Sequence, residues 1–298
     1  MKLTPRNANL LLMLAAAIWG FAFVAQRIGM RYVGPLTFNG VRFALGAAAL
    51  LPLLMWSRRP GSDAPAEPCD RSLLFKGGLT AGVVLFFGAT LQQYGVVYTT
   101  AGKAGFITGL YVVFVPLLGL AIGLKTSRFV WAGALTAAAG LYLLSARGLV
   151  GIDPGDGLVL LSALFWAAHV LVIGHLSRRI APVRLAVVQF TVVSVLSLAG
   201  ALLFETIERQ ALREAALPIL YAGLLSVAVA YTLQVVAQRR ARPAHAAIIL
   251  SFESVFAALG GWLVLGEGLS TRGLVGCALM LAGVLLAQAD AGRPEKET

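Results

Sequence analysis

Apolar stretches of nearly constant length, separated by charged residues, run the whole length of the chain. Between Arg6 and Arg27 lie 20 uncharged residues, between Lys76 and Lys103 26, between Arg128 and Arg147 18, and between Asp156 and Arg178 21. Further on, Arg184 to Glu205 encloses 20, Glu214 to Arg239 24 and Arg272 to Asp290 17, while Lys103 to Lys125 encloses at least 20. A helix needs roughly 20 apolar residues to cross a bilayer core about 30 Å thick. These gaps therefore predict eight spans. Residues 35–56 and 243–266 have the same length but each carries one charge, Arg42 and Glu253, and they bring the expected number to ten. Only 57–72, with its Pro, Asp, Glu and Arg, reads as a connection of any length, so no soluble domain is expected between spans. Residues 2–17 also have the look of a secretory signal, with a basic start, a Leu-rich stretch and Ala15-Ala16-Ala17. The apolar run continues to Ala25, however, and an internal repeat gives it a partner elsewhere, so it is read as span 1.

Composition agrees. Hydrophobic residues make up 59% and charged residues 12%, with a mean hydropathy of +0.84, against roughly 45–50% and about 25% in soluble domains. Too little polar surface remains to cover a water-soluble globule, and the chain reads as an all-α integral membrane protein. The net charge of +11 and pI of 10.3 come from basic residues scattered between apolar runs, without the basic and aromatic stripe of a nucleic-acid binder. They serve better as topology signals. With the N-terminus inside, the inner segments carry 16 Lys and Arg, while the outer ones carry 7: Arg27, Arg31, Lys103, Arg147, Arg209, Arg213 and Arg272. The excess of positive charge predicts a multi-pass protein of the cell (inner) membrane with both termini cytoplasmic. The two cysteines, Cys69 and Cys277, imply no disulfide framework.

The chain repeats itself. A shift of 147 residues matches Leu14 with Leu161, Trp19 with Trp166, Arg31 with Arg178, Pro35 with Pro182, Val41 with Val188 and Phe43 with Phe190. After the 57–72 segment the shift becomes 142, matching Thr90-Leu91-Gln92 with Thr232-Leu233-Gln234, and near the end 143, matching Gly133 and Gly140 with Gly276 and Gly283. Two five-helix units, 1–148 and 149–298, follow. Five is odd, so the second unit enters the bilayer from the opposite side. The expected fold is ten transmembrane helices as two inverted five-helix repeats, an arrangement typical of secondary transporters.

Trp19-Gly20 in span 1, the Pro35 to Arg42 spacing in span 2, Ala104 to Pro116 in span 4, and Ser251-Phe252-Glu253-Ser254-Val255-Phe256-Ala257-Ala258-Leu259 running to Leu265-Gly266-Glu267 together resemble the EamA-type members of the drug/metabolite transporter superfamily, over essentially the whole chain. The resemblance implies an inner-membrane carrier with a central cavity lined by both halves, commonly exporting amino acids, metabolites or drug-like molecules. Two residues depart from the pattern. Ser254 stands where the family often has Pro, which suggests a straighter span 9, and Lys125 stands where the second copy has Glu267.

Glu253 is the sharpest candidate for the chemistry. A carboxylate at mid-span costs roughly 2.5–3.5 kcal/mol on insertion scales, so it should face protein or a wet cavity, where it could bind a proton or a substrate amine. Its repeat partner is Tyr111, with Thr108 one turn before on the same face. Trp19 and Trp166 recur on the helical faces Ala15, Trp19, Ala22, Gln26 and Ser162, Trp166, His169, Ile173, and are placed to wall a cavity. His169 lies near the centre of span 6, where it would titrate with Glu253 or simply be satisfied within the bundle. Gln92 and Gln234, beside Gln93 and Tyr231, are matched amides suited to a zwitterionic or hydroxylated solute, or to helix–helix bonding. Arg42, two turns into span 2, is expected to snorkel outward to an acid or a lipid phosphate, and Lys103 to be a solvated charge ahead of span 4. The candidate substrate-binding set is therefore Trp19, Gln92, Thr108, Tyr111, Trp166, His169, Tyr231, Gln234 and Glu253.

Other classes fit less well. An intramembrane enzyme needs a nucleophile with its base or a metal site, and three His without an H-E-x-x-H arrangement supply neither. A channel would show rings of like charge or a filter repeat. No G-x-x-x-x-G-K-[ST] occurs, so the expectation is a non-ATP secondary transporter, working by alternating access on a small molecule, with protons as the coupling ion and with no cofactor or metal.

Overall fold

The computed structural model describes residues 4–56, 70–145, 154–266, 268 and 270–288. Lys2, Arg58, Arg59, Arg147, Arg293 and Lys296 of the charge count, Cys69, Glu267 and the repeat boundary at 148/149 lie outside the described residues. All described regular structure is helical: α1 (Pro5–Gly29), α2 (Pro35–Trp56), α3 (Arg71–Val97), α4 (Ala101–Gly109), α5 (Tyr111–Ala121), α6 (Arg128–Ser145), α7 (Pro154–Leu176), α8 (Pro182–Phe204), α9 (Arg209–Glu214), α10 (Ala216–Leu220), a π-helical stretch Tyr221–Tyr231, α11 (Thr232–Gln238), α12 (Pro243–Leu250), α13 (Glu253–Leu265) and α14 (Thr271–Gln288). Prolines at the first positions of α1, α8 and α12 suit sites where no backbone donor is required. Thr4, Asp70 and Thr100 accept the free N–H groups that open α1, α3 and α4.

Eight segments of 21 to 27 residues are long and apolar enough to cross a membrane, and α6 and α14 are shorter apolar helices. Spans 4 and 9 are each two helices, α4 with α5 and α12 with α13. The breaks fall at Leu110 and at Ser251–Phe252, repeat-equivalent positions. At the second break Phe252 and Ser254 bond back only three residues, to Ile249 and Ser251, so the chain tightens and turns. Span 9 is thus interrupted at this point without a proline at 254.

The polarity is turned inside out. Leu202, Phe204 and Leu217 are more than three-quarters exposed, whereas Gln92, Gln93, Gln189, Gln234, Glu253 and Arg42 are all buried. That distribution suits lipid outside and a polar interior.

Packing follows the repeat. α6 crosses α14 and α2 crosses α8, each helix meeting its own counterpart. At the α6–α14 crossing, a Cβ on Gly133 would strike the Gly283 carbonyl, one on Gly283 the Gly133 carbonyl, and one on Gly140 the Gly276 carbonyl. Residue i meeting the partner of j, and j the partner of i, is the signature of a two-fold contact. The remaining spans pack across the halves. α1 lies against the π-helical stretch, α11, α12 and α13, and α7 lies against α3, α4 and α5. Spans 1, 8 and 9 thus form one packed group and spans 3, 4 and 6 the other.

Polar struts obey the same symmetry. Lys103 pairs with Asp156 at 2.6 Å, joining α4 to α7. The equivalent positions, His245 and Asn9, are joined at 3.3 Å between α12 and α1. Lys103 is therefore buried within the first turn of α4, not a solvated charge ahead of it, because Asp156 of α7 lies directly beside it. On the same face as that ion pair, Glu205 accepts from the Leu36 and Thr37 backbone N–H and the Thr37 hydroxyl, capping α2.

Candidate functional site

The helix breaks and both packed groups meet at one central cavity. Its walls are Trp19, Phe23, Gln26, Arg42, Gln92, Thr108, Tyr111, Trp166, Val170, Ser226, Tyr231, Gln234, Leu250 and Glu253. Ten of these fourteen form five repeat-related pairs: Trp19 with Trp166, Phe23 with Val170, Gln92 with Gln234, Thr108 with Leu250, and Tyr111 with Glu253. The cavity is thus built twice, once from each half, around the point where the two copies meet.

Its contents are not symmetric. Gln92 accepts from Trp166 Nε1 at 2.7 Å and from the Thr108 hydroxyl at 3.4 Å, and donates to Gln26 at 3.1 Å. Trp19 Nε1 donates instead to the Ser226 carbonyl at 3.1 Å, in the π-helical stretch. The Tyr231 ring stands between the tryptophans, 4.7 Å from Trp19 and 6.1 Å from Trp166 with its plane 22° from the latter. Trp166 is thus stacked on Tyr231 while Trp19 meets it tilted at 58°, and the three rings together make an apolar wall. Gln234 Oε1 completes no hydrogen bond, the Tyr111 hydroxyl and the Glu253 carboxyl lie close enough to interact with each other, and all three residues line the void.

Arg42 alters the chemistry of the site. It is 2% exposed and lines the cavity instead of reaching for the surface. Its Nε donates to Asn39 Oδ1 at 2.9 Å, one turn earlier, and its guanidinium lies over the Phe43 and Phe38 rings at 4.9 and 5.6 Å. These contacts turn it inward, against the expected outward snorkel. Among the described residues no carboxylate is within ion-pair distance of it. One cavity thus presents a cation and, from α13, a carboxylate.

Eight of the nine sequence-derived candidates line the cavity; His169 does not. It is 1% exposed, bonded through Nε2 to Gln189 at 2.9 Å, and packed edge-on behind Trp166 and Tyr231 at 6.2 and 6.1 Å. Phe23, Arg42, Val170, Ser226 and Leu250 were not among the candidates, and Gln26 figured only as a helix-face residue. Leu250 was accessible to the sequence as the partner of Thr108, and Phe23 and Val170 as the residues one turn beyond the paired tryptophans.

The void itself is small, about 40 Å³, room for a few waters and not for an organic solute. A second cavity of about 630 Å³ opens on the face where α1 begins, framed by α5, α7 and α12 and lined by Lys125, Arg178, Arg242 and His245 with no acidic residue. α5, α7 and α12 also contribute Tyr111, Val170 and Leu250 to the central wall, so the same three helices run from vestibule to cavity.

The sequence profile of the EamA-like transporter family matches twice, over residues 6–146 and 153–288. A protein of Archaeoglobus fulgidus named as an uncharacterized transporter is 36% identical over 281 residues, covering 94% of this chain and 85% of that one. The transporter YoaV of Bacillus subtilis is 22% identical over 90% of this chain and 92% of its own. One crystal structure superposes with a TM-score of 0.75 at 17% identity, covering 96% of this chain and 98% of the other, a likeness of fold.

Proposed function

The chain belongs to the EamA-like transporter family, and from that premise we propose that it is a secondary carrier for small zwitterionic or carboxylate-bearing organic solutes, exporting them from the cytoplasm by alternating access. The observation that carries this reading is the twice-built cavity, too small as it stands for an organic solute and holding a guanidinium, Arg42, and a carboxyl group, Glu253, in one wall. A buried guanidinium with no acidic partner among the described residues suits a carboxylate. The carboxyl group of Glu253 in the same wall suits an amine or a proton, and the aromatic wall of Trp19, Trp166 and Tyr231 suits an apolar side chain.

The vestibule supplies the approach. A concave surface with four basic groups raises the local concentration of anions, and by the positive-inside count it opens to the cytoplasm. The repeat halves are taken as 1–148 and 149–298, but the moving bodies follow the packing: spans 1, 8 and 9 against spans 3, 4 and 6. The breaks at Leu110 and at Ser251–Phe252 act as the hinges, because each lies beside a cavity residue, Tyr111 or Glu253. Protons serve as the coupling ion through Glu253, with gradients and not ATP as the energy source.

Purified protein in liposomes, given a panel of amino acids and cationic drugs with and without a pH gradient, tests the proposal. Gradient-dependent flux of zwitterions is the expected outcome. Flux restricted to cations without a carboxylate would remove Arg42 from substrate binding, and the absence of flux for any solute would overturn the carrier reading.

A further inference from the structure

On the face opposite the vestibule the two packed groups meet where α4 crosses α13. The crossing is intimate. Ser254 Oγ donates to the Gly105 carbonyl at 2.6 Å, both groups buried, and a Cβ on Gly105 would stand 2.8 Å from that of Ala257. A Cβ on Gly109 would likewise stand 2.6 Å from Ser254 Oγ. Only glycine at 105 lets the helices approach closely enough for this bond.

The repeat supplies an internal control. The equivalent crossing, α5 with α12, lies on the vestibule face. There Gly105 is replaced by Ala247 and Ser254 by Val112, so the matching hydroxyl is missing and a methyl group stands where the glycine allowed contact. The vestibule opens beside that second crossing, bounded by Val115, Pro116 and Gly119 of α5 and by Pro243, Ala244 and His245 of α12. Two halves with the same plan thus differ in how firmly they close.

Resting on the carrier reading, we infer that the Ser254–Gly105 hydrogen bond is the clasp of the far-face gate: it holds the cavity shut on that side and must break before the cavity opens there. Ser254 acts as a positioning residue. It follows Glu253 directly in the first turn of α13, and Gly105 lies one turn before Thr108 in α4, so each partner of the clasp is coupled through a rigid helical turn to a side chain of the cavity wall. A proton or solute arriving at Glu253 therefore acts on the turn that carries the clasp. The inequality of the two crossings biases the empty carrier toward the state open to the vestibule.

The test reads sidedness in substrate-free protein. In a Cys69→Ser/Cys277→Ser background with a reporter at Val170→Cys, the rate of modification by a membrane-impermeant maleimide is measured from each face of oriented vesicles. Ser254→Ala should raise the rate from the far face several-fold and lower it from the vestibule face, Ser254→Thr should retain the parent pattern, and Gly105→Ala should behave as Ser254→Ala by pushing the helices apart. Equal sidedness in Ser254→Ala and the parent, or a reporter unreactive from both faces in every variant, overturns the clasp. If Gly105→Ala does not fold, the Ser254 pair decides alone. Since labelling needs no transported solute, a failure here is distinct from absence of flux in the liposome assay.

Discussion

Tyr111 and Glu253 occupy the same position of the two repeats, each is the first residue of the second helix of a broken span, and both end in the wall of one cavity. The duplication has therefore brought a phenol and a carboxylate to the centre from opposite directions. A carrier that alternates between two faces needs its binding groups where both halves can reach them, and broken spans place backbone turns and polar side chains at that depth.

Glu253→Gln keeps the shape of the side chain and removes its charge and its ability to exchange a proton. Transport is expected to be lost while the detergent-purified protein stays folded and monodisperse. Wild-type flux in this variant at every pH between 5 and 9, about the range in which side-chain and substrate groups titrate, would strip Glu253 of its role.

Arg42→Lys retains a positive charge but loses the planar fork and its seating over Phe43 and Phe38. The KM for carboxylate-bearing solutes should rise about tenfold, the worth of one charge-assisted hydrogen bond. Solutes lacking a carboxylate should be affected far less, so the ratio between the two classes, measured in one liposome preparation, is the informative number.

Lys125→Gln combined with Arg178→Gln removes two of the four basic groups around the vestibule. If the vestibule gathers anions electrostatically, the KM of an anionic solute rises at low ionic strength, kcat is unchanged, and the difference from wild type shrinks as salt is added. A defect that does not vary with salt would point to a structural role instead.

Gly133→Leu places a branched side chain against the Gly283 carbonyl at the α6–α14 crossing. Overpacking of this kind costs roughly 1–3 kcal/mol, and a lower midpoint of thermal unfolding in detergent is expected. An unchanged midpoint would mean that the two helices do not meet at these glycines.

The ten spans were legible in the sequence because a bilayer imposes one length and one composition on every crossing, so charge-free runs near 20 residues carry the signal without help from tertiary contacts. The inverted repeat was equally legible, since it is written as self-similarity at fixed shifts, and it led to Trp19, Trp166, Gln92, Gln234 and, from the mid-span charge of Glu253, to Tyr111 as cavity candidates. Direction of a side chain was not legible. Arg42 looked like a residue able to snorkel outward because its distance from the span end permits it; Asn39, Phe38 and Phe43 turn it inward, and that choice depends on which helix face meets α8. Lys103 read as a loop charge because its partner Asp156 lies 53 residues away in sequence, with nothing local to mark the pair. His169 was placed at the right depth but on a face covered by Trp166 and Tyr231. Depth in the membrane is thus set by the chain alone, through hydrophobic length. Which polar groups share a cavity, and which crossing of two near-identical halves closes more tightly, is decided only by the packing of helix faces in three dimensions.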